Sequence, residues 1–262
     1  MNPRLISVTL AALLAGTAAL AQFDFGKLTK ALDTAKDAGK AMKGVTGIGI
    51  EEEREIGDSV ALEVIGKYGG LVRDEDIMRR VNLVGLALAR YSGRPDLDWR
   101  FAVLNSDTVN AFSAPGGYVF ITSGLYAQTE NDDDALAAIL GHEIAHITGK
   151  HALNIIARGE GLSGAANLVA SRSSEARKIN AQLAQFDLKI DKVVKLIFEK
   201  GFDSQTEYAA DKDGRKLAVQ TGYAPGGLRL VLLKLQQQGG DPKAVFSTHP
   251  PLKDRIAKLP AD

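Results

Sequence analysis

The 262-residue sequence contains no cysteine. That excludes a disulfide framework, cysteine metal ligands and a lipid-bearing cysteine behind a leader. Aromatic residues make up only 6%, which argues against a base-stacking surface. Neither sign of charge dominates: 32 basic and 32 acidic residues give a formal net charge of zero. There is thus no basic field of the kind that binds phosphate backbones, and nucleic acid is not an expected partner. Beyond Ala21 no run approaches the ~18 apolar residues of a membrane-spanning helix, so the mature chain is expected to be soluble. No internal repeat is visible.

What is present is ordinary for a globular fold, with 45% hydrophobic and 24% charged residues. The length favours one substantial domain, or one domain with a small extension. Residues 1–21 have the form of an export signal. Arg4 supplies the positive end, Leu5 to Leu20 is uncharged and rich in Ala and Leu, and Ala19-Leu20-Ala21 offers small residues before Gln22. Export to the periplasm follows as an expectation, with a membrane anchor through residues 5–20 as the alternative. Residues 22–50 are expected to form a helical extension and linker. Phe23 to Lys43 mixes lysines with Asp24, Asp33 and Asp37, the pattern of a solvated helix. Peripheral contact with a membrane, or with outer-membrane assembly proteins, is a second use for it.

Residues 51–262 are expected to form the main domain. Helices are expected at about Glu51–Tyr68 and Asp74–Tyr91, the second N-capped by Asp74, with Ile77, Val81, Val84 and Leu88 on one face. Strands are expected at Trp99–Leu104 and Tyr118–Thr122, with Ser113-Ala114-Pro115-Gly116-Gly117 as turn chemistry between them. Asn131 to Asp134 opens a helix running to about Gly149, the acids complementing its positive end. Leu162–Lys200 is mostly helical in pattern. Further helices are expected at Ser204–Gln220, at Pro225–Gln238 and through Arg255. The class is α+β, with many helices and a small sheet in the N-terminal half.

The chemistry lies in His142-Glu143-Ile144-Ala145-His146. Histidines four apart on a helix share one face, and neutral imidazoles there can hold one zinc ion. Glu143, beside the first, is suited to take a proton from an attacking water and pass it to a leaving amine. Shuffling this composition would produce the motif in roughly a few cases per thousand, so chance is a poor account of it. A catalytic zinc needs a third protein ligand, for which Glu207 is the candidate. Asp211, four residues later on the same face, can accept a hydrogen bond from a liganding histidine. Taken alone, both acids also fit a solvated helix face. His249, stiffened by Pro250 and Pro251, could stabilise an oxyanion, cap the metal as a fourth ligand, or simply pack as a loop histidine. Arg255 could orient His249 or a substrate carbonyl, or form a structural salt bridge. His151 is read as structural. A peptide substrate could add as a strand, with Asn110-Ala111-Phe112 or Gly117 and Tyr118–Thr122 as the candidate edge.

Four segments in order resemble a known family. They are Leu140–His146, Glu207–Asp211, Asn110–Phe112 with Pro115–Phe120, and Thr248–Pro251. Together they are similar to the HtpX/CAAX prenyl-protease family of zinc metalloendopeptidases, over about Glu51 to Leu259. The resemblance implies a gluzincin: a mainly helical, zincin-like α+β domain whose small sheet lies over the active-site helix. It implies one Zn2+ held by His142, His146 and Glu207, and protein or peptide substrates. The soluble periplasmic branch is nearest, because the membrane members flank the zinc helix with transmembrane helices. In that branch the histidine of the His-Pro motif is implicated as a latch on the metal, which supports a similar role for His249. The expected activity is cleavage of unfolded or misassembled envelope proteins. A chaperone-like or scaffolding protein with a closed, structural zinc is the alternative.

Overall fold

The computed structural model describes residues 48–158, 194–195, 201–237, 249 and 251–260. The expected export signal, the extension up to residue 47, nearly all of the expected helical stretch Leu162–Lys200, and Thr248 and Pro250 lie outside them.

Among the described residues two helices come first, α1 (Ile50–Lys67) and α2 (Glu75–Tyr91). Asp74 caps α2 as expected, accepting from the backbone N–H of Asp76 and Ile77. A three-stranded sheet follows, of β1 (Arg100–Leu104), β2 (Ala111–Ala114) and β3 (Tyr118–Thr122), in the order β1-β3-β2. β3 pairs parallel with β1 (Arg100 opposite Tyr118) and antiparallel with β2 (Ala111 opposite Ile121). Ser113 and Ala114, expected in a turn, are the second half of β2. The turn is confined to Pro115–Gly117.

The remaining elements are α3 (Ser123–Gln128), α4 (Asp133–Thr148), α5 (His151–Arg158), α6 (Ser204–Thr221), α7 (Gly227–Gln237) and α8 (Leu252–Lys258). α3 and α5 were not expected. They have 6 and 8 residues, too few to show a helical period.

Alternation along the strands divides the core. Val119 and Ile121 of β3 join Phe101 and Val103 in a cluster with α2, α4, α6 and α7. Phe120, Phe112, Ala114 and Leu104 join the opposite cluster with α1 and α5. The sheet is therefore buried on both faces, and α4 packs against β2 and β3. α4 is the central helix, buried from Ala135 to Ile147. Asp132 caps it, and Asp133 and Asp134 lie in its first turn. Its Leu136, Leu140 and Ile144 are fully buried, each contributing about 1.5–3 kcal/mol by leaving water.

Candidate metal centre

Between Ala135 and Ile147, α4 carries only three polar side chains, His142, Glu143 and His146. Each is 2% exposed. Polar groups buried that deeply are costly unless they find partners. The histidines find each other first: one helical turn apart, their Nε2 atoms converge to 3.0 Å.

The other partners come from α6, brought in by a close helix crossing. A Cβ on Gly214 would lie 2.6 Å from the His142 backbone N, and one on Gly141 would lie 2.9 Å from the Gly214 carbonyl oxygen. With no side chain on either glycine, the two backbones nearly touch. Glu207 and Asp211 share a face of α6 with Gly214, so the crossing delivers both carboxylates to His142. Glu207 Oε2 lies 3.5 Å from His142 Nε2, and Glu207 Oε1 lies 3.6 Å from His146 Nε2. Asp211 Oδ1 is 2.9 Å from His142 Nδ1, and Arg255 holds Asp211 through Nε (3.0 Å) and Nη2 (2.5 Å).

These residues fit zinc. A regular tetrahedron with ~2.0–2.1 Å arms has edges of about 3.4 Å. The two histidine Nε2 atoms are 3.0 Å apart, and Glu207 reaches both, with Oε2 3.5 Å from His142 Nε2 and Oε1 3.6 Å from His146 Nε2. Glu207 Oε1 and Glu143 Oε1 are buried without a hydrogen-bond partner, the signature of groups awaiting an ion, a water or a substrate. Two imidazoles and a carboxylate are also the donor set of a catalytic zinc. His249 completes a group of four potential donors whose atoms lie within 4.8 Å of one another. Its Nδ1 stands 2.5 Å from Glu207 Oε2, shorter than two separate zinc ligands would stand, so it is bound to Glu207.

The electrostatics distinguish the two α4 histidines. Burial and the nearby Arg255 push His142 down, but hydrogen bonds to Asp211 and Glu207 outweigh them and raise it to about 9. Burial and the His142 charge push His146 well below its ordinary value. Burial opposes the charge of Glu207, yet His249 and His142 hold its carboxyl well below the usual range. Asp211 is likewise held low against burial by His142 and Arg255.

The structure thus gathers His142, His146, Glu207, Asp211, His249 and Arg255 into one connected cluster, and it buries Glu143 next to His142 in α4. Arg255 is oriented on Asp211 rather than on His249. The strand residues are divided. Asn110 leads into β2, which Ala111 and Phe112 open and which is an edge strand among the described residues, while Tyr118 begins β3, the central strand, so β3 is not an edge. Tyr118 donates to Asp58 Oδ1 and accepts from Arg100, and Gly117 lies in the preceding turn. Three site features escaped the sequence. Gly214 gives no pattern of its own, and Phe202, whose ring stacks on His146 at 4.3 Å, had no local signal. His151, whose Nδ1 lies 2.9 Å from His146 Nδ1, was visible only as a histidine past a glycine break.

A His-x-x-x-His pair on a buried helix, joined by a glutamate from a crossing helix beneath a small sheet, defines a zincin-like domain. Residues 76–261 match peptidase family M48, and the chain belongs to that family. It is 28% identical over 217 residues to the mitochondrial metalloendopeptidase OMA1 of Schizosaccharomyces pombe, covering 81% of this chain and 61% of that protein. It is 26% identical over 263 residues to the beta-barrel assembly-enhancing protease of Escherichia coli, covering 98% of this chain and 51% of that protein. A protease HtpX homolog of Thermodesulfovibrio yellowstonii is 26% identical over 192 residues, 61% of this chain and 67% of that protein. The chain therefore spans between half and two thirds of the length of these relatives. The cofactor of the family is zinc, and the four-donor group is able to hold it.

Proposed function

We propose that this chain is a zinc metalloendopeptidase in which His142, His146 and Glu207 hold the metal. The observation that carries the reading is the convergence of two histidine nitrogens and the Glu207 carboxylate at zinc spacing, on a helix that also buries an unpartnered Glu143 carboxylate oxygen. Zinc held there supplies Lewis acidity toward a carbonyl oxygen or a water molecule. Glu143 accepts a proton from water as its oxygen bonds to the scissile carbonyl carbon. It returns that proton to the amide nitrogen as the C–N bond breaks. Asp211, held by Arg255, fixes the His142 ring with Nδ1–H toward the carboxylate and Nε2 toward the metal. The strand assigned to peptide addition is β2, with Asn110 leading into its Ala111 and Phe112; its edge is buried in this structure and must be uncovered before peptide pairs with it.

Glu143→Gln keeps the shape and removes the base. Cleavage of unfolded casein should fall by about 10²–10⁴-fold while zinc content stays unchanged. Undiminished cleavage by the variant would sink the mechanism.

The catalytic domain is taken as residues 51–262. The contacts of α1 with the turn at Pro115–Gly117 and with β2 support including it, although the family match begins at residue 76. Residues 1–21 act as an export signal and 22–50 as an extension. Among the described residues no helix is long and apolar enough to cross a membrane. Envelope proteins that are unfolded or misassembled are the proposed substrates. The likeness to a protease named for enhancing beta-barrel assembly supports this.

One observation favours a second reading, a closed site. His249 belongs to a group of four potential donors whose atoms lie within 4.8 Å of one another, so a small movement away from Glu207 would make it a fourth ligand. If His249 closes the centre, His249→Ala should raise casein cleavage severalfold and alter the visible spectrum of the Co2+-substituted protein. No change in either would remove His249 from the site.

A further inference from the structure

The two α4 histidines are not supported alike. His142 leans on a carboxylate, Asp211 Oδ1, at 2.9 Å. The corresponding ring nitrogen of His146 meets another imidazole, with Nδ1 of His151 at 2.9 Å and the rings nearly perpendicular at 81°. A histidine that binds metal through Nε2 carries its proton on Nδ1 and needs an acceptor there. His151 Nδ1 is in position to be that acceptor.

The chain is shaped to put it there. α4 stops at Thr148, and α5 begins only three residues later at His151. Lys150, a residue with a side chain, adopts φ +53° to make the turn, a conformation disfavoured for L-residues. Gly149 gives the returning ring its space: a Cβ there would lie 2.4 Å from His151 Nε2. Phe202 closes the opposite side, its ring stacked on His146 at 4.3 Å and 18°. His146 is thus fixed by a face and by an edge.

We infer that His151 is a positioning residue for the metal centre: it accepts the Nδ1–H of His146, fixes that tautomer, and with Phe202 aims Nε2 at the metal. The inference rests on the zinc reading proposed above. It makes the site asymmetric, since one ligand is backed by an anion and the other by a neutral ring. A neutral acceptor draws less on the proton of its ligand than a carboxylate does, so His146 is the weaker donor of the two.

Three substitutions separate this role from packing. In His151→Asn the amide oxygen overlays Nδ1 and keeps the acceptor. In His151→Gln the oxygen overlays Nε2, away from His146. His151→Phe keeps the ring without an acceptor. Zinc affinity is read by competition with a chromophoric chelator, and ligand geometry by the spectrum of the Co2+-substituted protein. Thermal melting of the metal-free protein serves as the folding control. His151→Phe and His151→Gln should bind zinc about 10–100-fold more weakly and shift the Co2+ spectrum, while His151→Asn stays within a few-fold of the parent. Equal losses in Asn and Gln, or no loss in Gln, would overturn the assignment. If His151→Phe does not fold, the Asn and Gln pair decides alone. A parent protein that binds no zinc, or whose zinc survives His142→Ala, would instead defeat the metal-centre reading itself.

Discussion

Two bidentate arginine–carboxylate pairs lie in this domain, one part-buried and one buried, and they serve different ends. Arg94 grips Glu53 with two parallel bonds, Nη1–Oε1 at 2.7 Å and Nη2–Oε2 at 2.8 Å. Arg255 grips Asp211 in the same two-pronged way. What differs is the remaining capacity of each pair. Glu53 Oε1 also accepts the Gly116 backbone N–H at 3.2 Å, and Arg94 also donates to the Ile147 carbonyl at 3.3 Å. That pair ties α1, the loop after α2, the turn joining β2 to β3 and the C-terminal end of α4 into one unit. Asp211 instead turns a lone pair toward a side chain, His142 Nδ1. Pairing spent on backbone joins elements, whereas pairing shared with a ligand ring governs that ring's proton. Buried ion pairs are weak evidence for stability taken whole, but removing one partner is costly, so the two pairs can be set against each other by experiment.

The largest effect is expected at the first pair. Arg94→Met leaves the Glu53 carboxylate, 1% exposed, with the Gly116 N–H and no cation. The loss should be about 3–5 kcal/mol of unfolding free energy, read as a lower urea midpoint, while zinc affinity of the folded protein is unchanged. Glu53→Leu combined with Arg94→Met should recover much of that loss, because no uncompensated charge remains. A fall in zinc affinity in the folded single variant would show that the pair also serves the metal and would erase the distinction.

Asp211→Asn attacks the second pair and should lower both quantities. Arg255 loses its anion, and His142 loses the acceptor that fixes its tautomer. Zinc affinity should fall by about 10–100-fold, measured by chelator competition, with a smaller drop in the urea midpoint because the Asn oxygen still accepts from Arg255. Zinc binding equal to the parent would make Asp211 a purely structural partner, like Glu53.

The contrast also explains what the sequence disclosed. The metal helix was legible because histidines four apart interrupt an otherwise apolar run. Glu207 and Asp211 share a face by the same spacing, but alone they also fit a solvated helix, and only the zinc motif and the family resemblance set them apart. Asp74 and the acids before α4 announced their helices through capping chemistry. β2 was half hidden: Ala-Phe-Ser-Ala has little strand propensity, and its pairing with β3 and its burial make it a strand. Glu53 and Arg94 lie 41 residues apart with no pattern relating them. The Gly141–Gly214 crossing was equally silent, since a glycine required for close approach looks like any other until the second backbone is seen.

The smallest effect tests the difference in proton control directly. In the metal-free protein His142 is raised from 6.5 to about 9, whereas His146 is lowered and so already neutral near pH 7. A raised histidine contributes stability that is fully present below pH 6.5 and is lost as pH rises through about 9. The metal-free urea midpoint should therefore decline across that window. Glu207 and Asp211 are depressed, so their contribution is present above the ordinary carboxylate range and is lost on acidification below it. Zinc needs a neutral imidazole and must displace the His142 proton, but none from His146. Calorimetry near pH 7.5 in buffers of different ionisation enthalpy should then show about one proton released per zinc bound. Affinity should climb by about tenfold per pH unit up to roughly 9, then level off. Asp211→Asn removes one of the hydrogen bonds that raise His142, so its plateau should begin at lower pH. Arg94→Met should leave the plateau where the parent has it. Identical pH profiles in all three proteins would mean that Asp211 does not hold the His142 proton, and the two pairs would then differ only in location.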